Sequence, residues 1–364
     1  MTRLTATPIT AECFPTPALL LRTNDLAARR DIREFAQTQA EAACSLHHTL
    51  TNALHQAGDI DARVAAFTAA FEAAEDWRYR IAAATTQPIG RYGAGHAERF
   101  RTPVTDDNPN LFRLGEHTRF RDGAMWNPIT RTYTGGVETP ASRTMRLFEA
   151  LATARLAQSP GVNVGSNRVP LPDGRVVYGT RLLRGDAARR AATELVTRIA
   201  ARGGDTSRII TDGDLIYIAS GPKTDRRTIF RSAMVLLAQD YACTATALAA
   251  WLQAAYLLYQ APRKKRGSDA TIRTFLVAAG TCLLDHPPVL LHDIDLRAYV
   301  RPAEQFVAEL RAAQEDLPGG SPPRDHSSTT SARLTPGAGR EPPASARKSP
   351  APHRRSPIDA APGG

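Results

Sequence analysis

Two Asp-Gly turns, at Asp173-Gly174 and Asp212-Gly213, flank one amphipathic helical run and constrain this chain more than anything else in it. "NRVPLPDGRVVYGTRLL" reads as two strands around a Pro-Asp-Gly turn. "DAARRAATELVTRIAARGG" follows as a helix with Asp186 at its cap and Gly203 at its stop, and "SRIITDGDLIYIAS" reads as a second hairpin. Glycine at such turns supplies the positive φ that a tight hairpin requires. The pattern predicts a ββαββ unit at 167–220 inside a chain that is otherwise helical.

The helical text begins at Asn24, read as an N-cap, and runs to a stop at Gly58. A second helix then carries Val64, Phe67, Phe71 and Ala74 on one face. A short connection between two such helices predicts an antiparallel hairpin over 23–86. Residues 1–22, punctuated by Pro and Thr, read as extended, and 87–137 as loop-rich. "PASRTMRLFEALATARLAQ" resumes the helical pattern. Four further helices are expected at about 224–239, 244–260, 269–284 and 295–315, forming a C-terminal helical layer over 224–315. The expected fold class is α+β, predominantly helical, with the hairpin preceding a globular domain over 87–316. The Pro/Arg/Ser-rich tail at 317–364 has almost no large apolar residue and is expected to be disordered.

Net charge is +10, which favours anionic partners. Only four of the 46 basic residues are lysine, and an Arg, Ala and Pro bias of this kind is also what a GC-rich coding sequence writes, so arginine number alone is weak evidence. The tail holds seven basic against three acidic side chains, which leaves the remainder mildly basic. Cys13, Cys44, Cys243 and Cys282 are far apart and form no CxxC pair, as in a protein with reduced thiols. With no apolar run of membrane-spanning length and no basic-then-apolar start, a soluble cytoplasmic protein without a membrane partner is expected. Nothing in the sequence names a cofactor, a metal or an oligomeric state.

Four places bear chemistry-capable residues. The first is "APRKKRGSDATIRTF", where Arg263, Lys264, Lys265 and Arg266 precede a helix start that Ser268 or Asp269 can cap, with Arg273 one turn inside. Free N–H groups at a helix start favour an anion, and the basic run adds charge, so these residues form a candidate phosphate site. The plainer reading is a soluble connector between two buried helices. The second is "LLDHPPVLLHDIDLRAY", whose Asp285, His286, His292, Asp293 and Asp295 suit a metal or a general base but equally end one helix and begin the next. The third is Cys44, His47 and His48, with His55 beyond them, on one helix face.

The fourth is the irregular segment in which Arg91, Arg99, Arg101, Arg113, Arg119 and Arg121 alternate with Tyr92, Phe100, Phe112 and Phe120. Aromatic faces stack bases and guanidiniums hold phosphates, so Arg99, Phe100, Arg101, Arg119, Phe120 and Arg121 are candidate nucleic-acid contacts. Glu98, Asp106, Asp107, Glu116 and Asp122 in the same segment offer internal partners instead. No Walker, GxSxG or HExxH motif occurs.

The order of "AAYLLYQAP", "RGSDATIRTFL", "DHPPVLLHD" and "DLRAYV" over 245–300 faintly resembles Fic-type nucleotidyl transferases. In that family a helix ending in His-Pro-Phe leads into a Gly-Asn-Gly-Arg phosphate loop. The motif histidine is absent and "RGSDAT" stands in place of the loop, so the resemblance does not extend to the family's base or to adenylyl transfer. The leading expectation is a basic binding protein for an anionic partner, foremost nucleic acid. The first alternative is an enzyme acting on a nucleotide or phosphorylated small molecule at the 263–273 loop. The second is a protein-interaction scaffold using the N-terminal hairpin.

Overall fold

The computed structural model describes residues 8–24, 30–84 and 97–315, without the side chains of 30–33. The Asn24 cap borders the undescribed 25–29, and Arg91, Tyr92 and the tail at 317–364 lie outside the described residues.

The fold is α+β and predominantly helical. After two 3-10 turns (Ala11–Cys13 and Ala18–Leu20), α1 (Arg30–Gln56) and α2 (Ile60–Ala84) form the expected hairpin. Of the amino-terminal residues expected to be extended, 11–13 and 18–20 are thus turned, and this part is anchored to the core: Phe14 is buried, and the Ala18 N–H donates to the His292 carbonyl at 2.8 Å. The segment expected to be loop-rich holds a 3-10 turn at Ala97–Phe100, β1 (Leu111–Leu114), another 3-10 turn at His117–Phe120 and a small hairpin of β2 (Met125–Asn127) and β3 (Thr132–Thr134). Helix α3 (Pro140–Ala157) starts where the sequence allows it. Pro140 opens the helix, and Thr139 and Ser142 bond each other's backbone N–H in a reciprocal cap.

Strands β4 (Val164–Pro170) and β5 (Val176–Leu183), helix α4 (Gly185–Ala200) and strand β6 (Ile216–Ala219) realise most of the central unit. The second Asp-Gly hairpin does not form. Gly213 takes its positive φ of 83°, but Ser207–Thr211 pairs with no strand, being turned at Ser207 and Arg208 and irregular beyond, with Ser207 N–H bonded to the Asp205 carboxylate and Ile209 N–H to the Thr206 carbonyl. The free edge of β6 is claimed by β1, more than a hundred residues upstream, with Leu111 opposite Ala219. The sheet is antiparallel in the order β1-β6-β5-β4. Asp186 lies in the first turn of α4 and pairs with Arg189, while Arg184 occupies the cap position.

The C-terminal layer is α5 (Lys223–Ala238), α6 (Thr244–Gln260), α7 (Ser268–Leu284), α8 (Ile294–Val300) and α9 (Ala303–Glu315). The last expected helix is split because Pro302 cannot continue α8. Leu182 and Ile218 pack one face of the sheet on α3, and Leu183, Tyr217 and Ala219 pack the other on α4. The main core joins α1 and α2 to α5 through α9, so the hairpin shares its apolar interior with the layer expected to stand apart from it. No helix among the described residues is long and apolar enough to cross a membrane.

A candidate anion-binding cavity

The loop between α6 and α7 is held rigidly along its length. Val104 N–H donates to the Arg263 carbonyl (2.9 Å), Lys265 N–H to the Thr102 carbonyl (3.0 Å) and Asn110 Nδ2 to the Lys264 carbonyl (3.1 Å). From below, buried Arg226 donates to the carbonyls of Gly221, Pro262 and Val104, each at 3.0 Å. All four basic side chains are half-buried rather than fully exposed. They divide two and two. Arg263 pairs with Glu72 (3.1 Å) and Glu75 (3.6 Å) of α2 and lies over the Phe230 ring, while Lys264 faces Glu75 at 3.7 Å. Lys265 and Arg266 turn the other way and line a cavity of about 540 Å³.

That cavity gathers residues from six parts of the chain: Arg22, the 97–100 turn, the 108–120 segment with β1, the end of α4 with Arg202, the 265–266 loop and α8. Its charged lining is Arg22, Arg99, Arg113, Arg119, Arg198, Arg202, Lys265 and Arg266 against Glu116 and Asp295. Lys265 Nζ donates to the carbonyls of Pro109 (2.6 Å) and Asn108 (3.1 Å). Burial, followed by the charges of Arg198, Arg99 and Arg202, brings the Lys265 ammonium down to about 8. Arg198 braces the same loop through the Pro109 and Asp107 carbonyls and pairs with Glu194. Glu116 sits at a left-handed φ of 51° beside Gly115 at 98°, and this corner holds Arg113 at 2.9 Å and Arg119 at 4.0 Å. A non-glycine residue in that conformation is strained, and such strain concentrates at functional sites.

Beneath the cavity, Arg273 is 1 % exposed and turned inward. Its Nε donates to both Asp269 oxygens (2.8 and 2.9 Å), and its terminal nitrogens donate to the carbonyls of Leu291 (2.9 Å) and His292 (3.2 Å). It ties α7 to the approach to α8 and does not line the cavity, which corrects its expected place on a phosphate. Ser268 is no cap either. Gly267 holds that position at φ 79°, packed so closely that a Cβ would meet the Phe100 ring at 2.6 Å, and Ser268 Oγ bonds the Lys264 carbonyl. Tyr259 donates its hydroxyl to Asp269 at 2.8 Å. Asp295 is held well above the usual carboxylate range by burial and by nearby Asp269, with Arg273 opposing. Tyr299 stands beside it on the cavity wall, its hydroxyl kept protonated by burial and by the charges of Asp295 and Asp269.

Of the candidate nucleic-acid contacts, Arg99, Arg119 and Phe120 line this cavity and thus meet Lys265 and Arg266. Arg101 instead lies over the Tyr79 ring at 3.6 Å, and Arg121 is half-buried elsewhere. Phe100 and Phe120 are 4 % and 6 % exposed, capped by Arg78 and Arg22 respectively, so their faces are not offered to bases. The other acidic and histidine candidates disperse. Asp293 pairs with Arg297, Asp285 ends α7, and His292 contributes its backbone carbonyl to Arg273. His47 Nδ1 lies 3.2 Å from the Cys282 sulfur, where burial raises the thiol and lowers the imidazole, leaving a neutral pair. No group of three or more metal-ligating side chains occurs among the described residues.

Arg22, Arg198 and Arg202 were not singled out by sequence, and Arg113 was noted only within the irregular Arg/aromatic segment. Arg198, in the last turn of α4, and Arg202, just beyond it, read in sequence as the polar face of an amphipathic helix, and the β1–β6 pairing helps bring that helix end to the 108–120 segment. No protein-family model matches the chain and no curated protein matches it, so the Fic-like order of segments gains no support from either comparison.

Proposed function

We propose that the chain binds a small phosphorylated ligand in the cavity between the α6–α7 loop, the 108–120 segment and the end of α4. The observation that carries this reading is the meeting of eight cationic side chains with two acidic ones in a single concavity of about 540 Å³. That volume falls within the range of small-molecule sites, about 300–1,000 Å³. A polyphosphate or phosphate ester would offset the mutual repulsion that, after burial, lowers the Lys265 ammonium. The rigid loop supplies the preorganisation that keeps such binding from costing much ordering entropy.

The second reading is nucleic acid, favoured by the overall charge of +10. A tracking groove calls for open aromatic faces along a stripe. Burial of Phe100 and Phe120 and the concave gathering of charge favour the smaller ligand. Calorimetry and thermal melts with pyrophosphate, ADP and ATP test the proposal, with a single-stranded oligonucleotide as competitor. We expect a Tm rise with at least one small anion and an affinity that weakens with salt. Replacing Lys265 with Met should weaken binding about tenfold or more, the worth of one charge-assisted hydrogen bond. An oligonucleotide that binds without being displaced by small anions would transfer the assignment to nucleic acid. No Tm shift with any small anion at millimolar concentration would overturn it.

A further inference from the structure

Every cationic side chain of the cavity has a reason to be there if the ligand is a phosphate. Asp295 does not. Moving a carboxylate into a partly desolvated wall costs free energy unless it is paired, and a neighbouring like charge adds to that cost. Glu116 meets the condition by holding Arg113 and Arg119. Asp269 meets it through Arg273 and the Tyr259 hydroxyl. Asp295 makes no ion pair among the described residues, and Arg273, the cation whose charge opposes its burial, donates to Asp269 and two backbone carbonyls and makes no hydrogen bond to Asp295 among them. Among the described residues, the backbone group that favours its charged form from close by is the Leu296 N–H. A carboxylate has roughly four lone-pair sites, so most of its acceptor capacity faces the cavity unspent.

We propose that the ligand is bifunctional: its phosphate lies toward Lys265, Arg202 and Arg119, and its other end presents a hydroxyl or ammonium donor to Asp295. This rests on the phosphorylated-ligand reading above and narrows it to a substrate class. Phosphate is repelled from Asp295 and attracted to the cations around Lys265, so the two groups together would fix the ligand's direction in the cavity. A sphere of that volume is about 10 Å across, enough for a phosphate and a short donor-bearing chain. A site that leaves a buried acceptor unpaired when the donor is missing discriminates strongly against the analogue lacking it.

The test is calorimetry on the full chain with four probes: inorganic phosphate, propyl phosphate, glycerol 3-phosphate and phosphoethanolamine. Each is titrated into the parent protein, Asp295→Asn and Asp295→Leu. In the parent protein one donor-bearing ester should bind at least tenfold tighter than propyl phosphate. In Asp295→Leu that advantage should fall to about one, while inorganic phosphate binds as before or tighter. Asp295→Asn keeps an acceptor but no charge, so it should retain part of a hydroxyl preference and lose an ammonium preference. If Asp295→Leu does not fold by near-UV circular dichroism, Asp295→Asn carries the comparison. Equal binding of propyl phosphate and both donor-bearing esters by the parent protein would overturn the proposal, as would a donor advantage that survives unchanged in the folded variants. Failure of all four probes, inorganic phosphate included, would instead remove the anion cavity and this inference with it.

Discussion

Lys265 is one of four lysines in a chain that otherwise writes basic charge as arginine, and the structure places it where the choice matters. An arginine keeps its proton in any such setting, whereas a lysine pressed by burial and by Arg198, Arg99 and Arg202 comes down from 10.5 to about 8. The linkage has a definite sign. A lysine whose folded pKa lies below its unfolded value weighs against folding while protonated in both states. That cost is fully present below about pH 8 and vanishes as pH rises toward 10.5. Anion binding runs the other way, because it needs the ammonium. Thermal melts from pH 7 to 10 should therefore show the free protein gaining stability relative to Lys265→Met as pH rises through that window. Calorimetry over the same range should show its phosphate affinity falling relative to that variant. Parallel pH profiles for the two proteins in both measurements would show that Lys265 does not titrate there. The lysine pair was visible in sequence as an anomaly. What could not be read was its division, since nothing in "RKKR" says that two side chains turn to the α2 carboxylates and two to a cavity.

Elements were more legible than sites. Helices α5, α6 and α7 lie within a residue or so of where apolar periodicity puts them, because each buries a broad stripe and has a recognisable Pro or Gly at one end at least. The sheet was half legible. The Pro-Asp-Gly hairpin is local, whereas β1 pairs with β6 across more than a hundred residues and is too short to announce itself. Asp295 was noticed among the acidic candidates but grouped with sequence neighbours, and its true neighbours, Asp269, Arg273 and Tyr259, are on other helices. One side chain holds these elements in register at the cavity. Arg226, 6 % exposed on α5, reaches the loops before α5, before α7 and before β1 through three carbonyls. Arg226→Met would leave those acceptors without donors, at about 1–3 kcal/mol for each that stays dry. Urea melts should show a loss of about 3 kcal/mol with an unchanged slope. Arg226→Lys should recover little of it, because one ammonium cannot replace a planar fork serving three directions. A loss below about 1 kcal/mol would mean that water satisfies these carbonyls and that the loop is held by its own backbone bonds.

At the scale of the molecule the question is whether the helical hairpin is a module or part of the core. Sequence suggested a module, since residues 23–86 read as a self-contained pair with short connections. The packing points to integration. Phe71 meets Phe230 at 5.0 Å and Phe275 at 5.2 Å, and Phe67 meets Phe275 edge-on at 6.5 Å. Leu46 and Leu50 are buried in the same cluster as α6 and α7. Charge follows the same seam. Glu75, 9 % exposed, is raised by its burial and steadied by Arg263 and Lys264, so the acidic half of the loop's pairing comes from α2. Removing α1 and α2 would expose the aromatic face of α7 and strand two cations, and either loss is large against a domain's net stability of about 5–15 kcal/mol. A chain beginning at residue 87 should therefore show no cooperative melt and should bind a dye specific for exposed apolar surface. Phe71→Ala in the full chain should cost about 3–5 kcal/mol while leaving a cooperative transition. A shortened chain that melts cooperatively near the parent Tm would restore the hairpin to the status of an independent module. It would also show that Arg263 and Lys264 are held well enough without their acidic partners, and the cavity would then owe its geometry to the loop and Arg226 alone.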